Sequence, residues 1–226
     1  MRYGNLTLVG TSHIAKDSVR NVEETILAEK PDIVAVELDH ARLHALLSNE
    51  KPRFSLGMLR VMGFTGFIFF AIGGFLQRKL GKLIGAVPGQ EMKTAVETAR
   101  QNGIRVALID QPLNITMNNI SAIKAGEKLK LARDIILGVT GLEKEEAQID
   151  LSKTPTQSFV EMAMKKVKER YPGLYKALVA DRNEYMARML ARIMHLEPQS
   201  RMVAVVGAGH EREIMKLVKA SATERK

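Results

Sequence analysis

The chain has 226 residues, 46% of them apolar and 26% charged, and 34 lysines and arginines outnumber 25 aspartates and glutamates to give a net charge of +9. This composition is typical of a folded protein with a sizeable core and excludes an intrinsically disordered chain. Cysteine is absent, which excludes disulfide scaffolds, thiol nucleophiles and cysteine-ligated metal sites. The first ten residues lack the pattern of a signal peptide, so we expect a cytoplasmic location.

Strands alternating with helices are predicted at both ends of the chain. Short apolar runs typical of strands occur at residues 6–9, 33–36, 104–109 and 202–206. Helical periodicity is found next to these runs, at residues 19–27, 40–47, 91–102 and 211–219. The alternation predicts one α/β domain over residues 1–226, with a mostly parallel central sheet flanked by helices. A helical pattern at about residues 118–197 predicts a helical insertion before the last strand.

An apolar block of 16 residues, at positions 61–76, contains five phenylalanines and is flanked by lysines and arginines. It is shorter than the roughly 20 apolar residues that a membrane-spanning helix needs. Its phenylalanines and nearby glycines favour a helical hairpin at about residues 55–85, which we expect to pack in a homo-oligomer. Contact with a membrane surface is the second interpretation. Because the aromatic residues are not interleaved with basic ones, the pattern does not predict nucleic-acid binding.

Polar residues directly follow each predicted strand. Together with the turn glycines Gly10 and Gly207, they are in chain order His13, Glu37, Asp39, Arg42, Asp110 and His210. In an open parallel sheet, the carboxyl ends of the strands meet at one edge, where ligands bind. The sequence therefore predicts that two histidines, two or three carboxylates and an arginine converge at this edge.

Two Gly-x-x-His segments, ending in His13 and His210, occupy equivalent places after predicted strands. Two histidines and one carboxylate are a common ligand set of hydrolytic sites for zinc, manganese or cobalt. Glu37 suits the carboxylate because it ends an apolar strand, where a buried acid must be paired, protonated or metal-bound. Asp39 is better explained as the N-cap of the next helix. The second segment is no dinucleotide motif, because Arg212 replaces its third glycine.

Four further residues are candidates for substrate binding: Arg42, Glu91, Asp110 and Arg182. Arginine holds carboxylates through paired hydrogen bonds, so we expect Arg42 or Arg182 to hold a substrate carboxylate. Asp110 ends an apolar strand as Glu37 does. Glu91 lies in the first turn of a helix, where the helix dipole alone favours an acid. Arg182 considered by itself has the pattern of an ordinary surface arginine.

Six motifs in order resemble the TraB/PrgY/GumN family, which includes pheromone-shutdown proteins. They are Gly-Thr-Ser-His at 10–13, Val-Glu-Leu-Asp followed by an arginine at 36–42, Pro-Gly-Gln-Glu-Met at 88–92, Ile-Asp-Gln-Pro at 109–112, Asp-Arg-Asn-Glu-Tyr-Met at 181–186 and Gly-Ala-Gly-His at 207–210. The family is similar to the Tiki metalloproteases and, more remotely, to erythromycin-esterase-like and ChaN-like proteins. Gln111 and Asn183 stand where the family often has an arginine and an acid.

The resemblance implies a divalent-metal hydrolase that acts on peptides, with manganese or cobalt as its metal. His13, His210 and Glu37 would be both the metal ligands and the catalytic core. Many members carry a C-terminal membrane region, which implies that longer relatives are membrane-associated. Two alternatives stay open: a metal-free hydrolase, in which His13 or His210 activates water with the help of Glu37, and a protein that binds a peptide or cofactor without turnover.

Overall fold

The computed structural model describes residues 1–11, 16–48, 89–140 and 157–223. The strands are β1 (Arg2–Tyr3), β2 (Leu6–Thr11), β3 (Ile33–Val36), β4 (Arg105–Leu108) and β5 (Met202–Gly207). The helices before β4 are α1 (Lys16–Glu29), α2 (His40–Leu47) and α3 (Gln90–Gln101). Those after it are α4 (Leu113–Ser121), α5 (Ala125–Thr140), α6 (Gln157–Arg170), α7 (Pro172–Tyr175), α8 (Asp181–Leu196) and α9 (Ala208–Thr223), with a π-helical turn (Lys176–Ala180) before α8.

The described strands form one mixed sheet in the order β1-β2-β5-β3-β4, in which only the short β1 runs antiparallel. The predicted α/β class with a mostly parallel sheet is therefore confirmed. The last described strand in sequence, β5, lies between β2 and β3. Strands β2 and β3 therefore pair with β5 and not with each other. Strands β3 and β5 are buried along their whole length, as expected of apolar runs covered on both faces.

Helices cover both faces of the sheet. On one face, α1 and α3 pack against the sheet around Val22, Ile26 and Val96. On the other, α8 and α9 pack against Leu8 and Ala204. A third apolar cluster joins the helices between β4 and β5, and its buried members are Ile120, Leu131, Leu174 and Ala177. In sequence, these packed helices lie between the edge strand β4 and the central strand β5.

The amino edge of the sheet, where the parallel strands begin, has an open cavity of about 560 Å³. Tyr3, Asn5, Met194, His195 and Val218 are among its lining residues. Close by, Arg105 at the start of β4 forms an ion pair with Glu197, and Nη1 and Oε1 are 2.9 Å apart. Both side chains are solvent-accessible, with 60% of Arg105 and 34% of Glu197 exposed.

The hairpin predicted at about residues 55–85 lies outside the described residues, as does His13. Its role in self-association therefore stays a prediction. Among the helices that the structure describes, none combines the length and apolar character needed to cross a membrane.

Candidate active site

Because β3 and β5 are parallel neighbours, their carboxyl ends lie side by side at the carboxyl edge of the sheet. Val36 of β3 pairs with Val205 of β5, and the Glu37 amide continues the ladder by donating to Val205 O at 3.1 Å. On the other side of β5, Thr11 at the end of β2 pairs with Gly207. Glu37, Gly207 and the first turn of α9 are therefore neighbours.

The Glu37 carboxylate is held by donors on both oxygens. Oε2 accepts from the Gly207 amide at 2.7 Å, and Oε1 accepts from Arg182 Nη2. Oε1 also lies 3.5 Å from His210 Nε2. Only 9% of the Glu37 side chain is exposed, so both of its oxygens depend on these protein donors.

Arg182 bridges Glu37 to a second carboxylate, that of Asp110. Its Nε donates to Asp110 Oδ1 at 3.0 Å, and its Nη2 donates to Asp110 Oδ2 at 2.8 Å. Burial lowers the pKa of the Arg182 guanidinium, but hydrogen bonds and charges of Asp110 and Glu37 raise that pKa by more. Arg182 therefore carries its positive charge at neutral pH, as arginine does in proteins generally. Considered alone, Arg182 had the pattern of a surface arginine, but it was also a candidate for substrate binding, and the structure places its side chain inside the candidate site with 15% exposed.

Asp110 is the most deeply buried charge of the site, with a fully inaccessible side chain. Besides Arg182, it accepts from Arg42 Nη1 and from the Gln111 amide at 2.7 Å. Arg42 is the most accessible member of this ion-pair network, with 28% of its side chain exposed at the rim. Asp110 thus orients the two arginines, and Arg42 is the cation best placed to meet a solute.

The π-helical turn directly precedes the two site residues of α8. It closes with the Asp181 amide donating to Lys176 O, and Leu178 O within it accepts from Arg182 Nη1 at 3.2 Å. π turns insert a residue into a helix and are frequent at functional sites. Here Arg182 and Asn183, adjacent in sequence, both face inward.

His210 is bonded through its other ring nitrogen to a residue that sequence reasoning missed. His210 Nδ1 and Asn183 Oδ1 are 2.6 Å apart, and Asn183 is buried. A signal for it did exist: Asn183 shares the inward face of α8 with Met186, Ala187 and Leu190 at helical spacing. The polar residue on that apolar stripe marks a position where a buried side chain needs a partner.

Gly10, the first residue of the first Gly-x-x-His segment, lies directly against the side chain of Glu211. A Cβ at this position would overlap the carboxylate of Glu211 on α9.

Asp39 caps α2 as predicted, because Oδ1 accepts from the Arg42 amide at 2.7 Å. Its Oδ2 also accepts from the Leu113 amide at 2.7 Å and so ties α4 to the same edge.

Glu91 and His13 are the two remaining candidate residues. Glu91 is buried in the first turn of α3, whose amino end lies at the carboxyl edge. His13 lies outside the described residues, two positions beyond Thr11. Within the described part of the chain, no three histidines or carboxylates lie close enough to hold a metal ion.

Comparison with known proteins places this arrangement in a family. The model of the TraB/PrgY/gumN family matches residues 2–221. The chain belongs to the TraB/PrgY/gumN family. The match covers both Gly-x-x-His segments, every strand of the sheet, and all the residues of the buried network.

Related members of the TraB/PrgY/gumN family come from distant organisms. An uncharacterized protein of Methanocaldococcus jannaschii is 33% identical over 95% of this chain and 53% of its own length. A TraB domain-containing protein of Bos taurus is 29% identical over 90% of this chain and 59% of its own length, and that of Homo sapiens is 28% identical over 90% and 60%. The chain thus spans somewhat more than half the length of these relatives.

Proposed function

We propose that the chain is a divalent-metal-dependent hydrolase of peptides, with its reacting centre at the Glu37–His210 pair. The observation that carries this proposal is the 3.5 Å separation of Glu37 Oε1 and His210 Nε2 at the carboxyl edge of the sheet. Carboxyl edges of parallel sheets are where ligands bind in α/β folds. A buried acid beside an imidazole is also suited to taking up and releasing a proton.

The donor pair fits a divalent cation in type and spacing. Imidazole nitrogen and carboxylate oxygen are ligands of zinc, manganese and cobalt. Two ligands at about 2.1 Å from a tetrahedral ion lie about 3.4 Å apart, close to the separation of Glu37 Oε1 and His210 Nε2. The proposal takes His13 as the third ligand, since it follows Thr11, which pairs with Gly207.

A bound ion would polarise the scissile carbonyl and lower the pKa of a bound water towards about 7. The chain's own residues then have distinct tasks. Glu37 would be either a ligand of the ion or the base that accepts the proton of the attacking water, and its orientation is fixed by the Gly207 amide and Arg182. Arg42, accessible at the rim, binds a substrate carboxylate while Asp110 holds its guanidinium in place.

The test combines metal content with hydrolysis of unstructured peptides. We expect the wild type loaded with manganese, cobalt or zinc to bind about one ion per chain and to cleave peptides. His210→Ala, Glu37→Gln and His13→Ala should lose both properties. The matched controls are His195→Ala and Glu197→Gln, because these residues lie at the opposite edge of the sheet. Metal-free wild-type protein, together with activity that survives in His13→Ala, would contradict the proposal.

A metal-free hydrolase is the second candidate, and one observation favours it. Glu37 already bonds to a guanidinium and an amide, and His210 Nδ1 bonds to Asn183, so the acid–base pair is oriented by protein groups alone. Activity that survives exhaustive chelation but is lost in His210→Ala would select this candidate. Stoichiometric peptide binding without product, with each metal added, would instead indicate a binding protein.

A further inference from the structure

The contact between Asn183 and His210 determines where the proton of the imidazole lies. The side-chain oxygen of asparagine can only accept a hydrogen bond. A hydrogen bond between His210 Nδ1 and Asn183 Oδ1, which are 2.6 Å apart, therefore requires the hydrogen on Nδ1. In the neutral ring the lone pair is then on Nε2, the nitrogen that faces Glu37 Oε1.

Asn183 is rigidly placed for this task. It is buried, and it lies on the face of α8 that packs into the core with Met186 and Leu190. Its neighbour Arg182 anchors the same turn to both Glu37 and Asp110. The oxygen of Asn183 therefore has little freedom to leave His210.

We infer that Asn183 is a positioning residue that selects the Nδ1–H tautomer of His210. This inference deepens the proposed function and rests on it for its catalytic meaning, because the selected tautomer presents the Nε2 lone pair to the reacting centre. Partners that fix the tautomer of a metal-binding histidine typically change metal affinity 10–100-fold when they are removed.

The test reads the tautomer directly, in metal-free protein without substrate. Long-range ¹H–¹⁵N NMR distinguishes a protonated from an unprotonated ring nitrogen, and the signals of His210 are assigned by their loss in His210→Gln. Spectra are recorded as a pH series, and the tautomers are compared in the alkaline range in which the His210 signals no longer change with pH. Asn183→Leu removes the acceptor at similar volume, and Asn183→Asp keeps an acceptor in the same place. Asn119→Leu is the matched control, because Asn119 bonds to Asp181 and not to the histidine.

We expect the wild type and Asn183→Asp to hold the Nδ1–H form. Asn183→Leu should shift the tautomer ratio by roughly two- to tenfold towards Nε2–H, the range that one hydrogen bond supports. Asn119→Leu should leave the ratio unchanged. The inference is overturned if the wild type holds mainly Nε2–H, if Asn183→Leu leaves the ratio unchanged, or if Asn119→Leu shifts it equally. A chain that shows the expected tautomers but hydrolyses nothing would refute the proposed function and leave the role of Asn183 intact.

Discussion

The two edges of the sheet handle charge in opposite ways. At the carboxyl edge, Asp110 is fully buried between two arginines, and Arg182 spans two carboxylates. At the amino edge, Arg105 and Glu197 form an equally close pair that remains open to water. Buried pairs depend on every partner, because removing one leaves a desolvated charge, whereas exposed pairs contribute little. We therefore expect the loss of a charged side chain to lower the free energy of unfolding more at the carboxyl edge than at the amino edge.

The largest effect is expected from Asp110→Ala, which leaves Arg182 and Arg42 without their shared carboxylate. Breaking a buried ion pair by removing one partner typically costs about 3–5 kcal/mol of unfolding free energy. Urea denaturation of Asp110→Ala beside Glu197→Ala measures the contrast between the edges. Equal losses in the two variants would show that burial does not distinguish them.

Arg182→Lys tests the geometry of the guanidinium and not its charge. Lysine keeps the positive charge but cannot donate to Asp110 and Glu37 with the same planar fork, so we expect a loss of about 2–3 kcal/mol. Arg105→Lys is the matched change at the amino edge and should alter the urea midpoint much less. A midpoint for Arg182→Lys as close to wild type as that of Arg105→Lys would mean that only charge matters at position 182.

Alanine substitutions at two glycines, one at each edge of the sheet, compare a steric cost with a backbone cost. Gly10→Ala should cost about 1–2 kcal/mol, because its Cβ displaces the Glu211 carboxylate. Adding Glu211→Ala should remove most of that cost. At the amino edge, Gly103 has φ +67° and open space around it, so Gly103→Ala should cost about 1 kcal/mol through backbone strain.

The double-mutant cycle gives the control for both glycines. Glu211→Ala should not rescue Gly103→Ala, since no side chain opposes a Cβ there. If Gly10→Ala costs the same with and without Glu211, the spatial explanation for the first Gly-x-x-His glycine is wrong.

The smallest effect concerns pH at the amino edge. A hydrogen bond from Arg105 lowers the pKa of Glu197. The stability that this provides is present above the ordinary glutamate pKa of about 4.3 and is lost as the pH falls through the lowered pKa. Wild type should therefore be slightly more stable than Glu197→Gln at neutral pH, and the difference should vanish in acid and in high salt. If the stability difference between wild type and Glu197→Gln instead grew as the pH fell, the predicted direction of the pH dependence would be wrong.

Local patterns predicted the elements of the fold but not their order. Residues 33–36 form a strand with the predicted bounds, because a short β-branched run between turn signals has few alternatives. β1 was not predicted, since Arg2 and Tyr3 are too few residues to show a period. The position of β5 between β2 and β3 depends on contacts between distant parts of the chain, which periodicity does not record.

The candidate site was predictable to the extent that strand ends determine it. Glu37 and His210 are neighbours because both follow parallel strands, and this rule needed only the sequence. The helix that covers them contributes Arg182 and Asn183, whose direction depends on the π turn before α8. Arg182 was already a candidate from the sequence, whereas the contact of Asn183 with His210 became visible only in three dimensions.

The position of β5 near the end of the sequence and at the centre of the sheet has a consequence for folding. Until residues 202–207 enter the sheet, β2 and β3 lack their common neighbour, and Glu37 lacks both the Gly207 amide and His210. Pairings across so long a stretch of chain form slowly, because loop closure precedes the contacts that compensate it. The Glu37–His210 pair of the candidate site therefore forms only when β5 has joined the sheet. A nascent or truncated chain without β5 therefore lacks the pairing on which the proposed function depends.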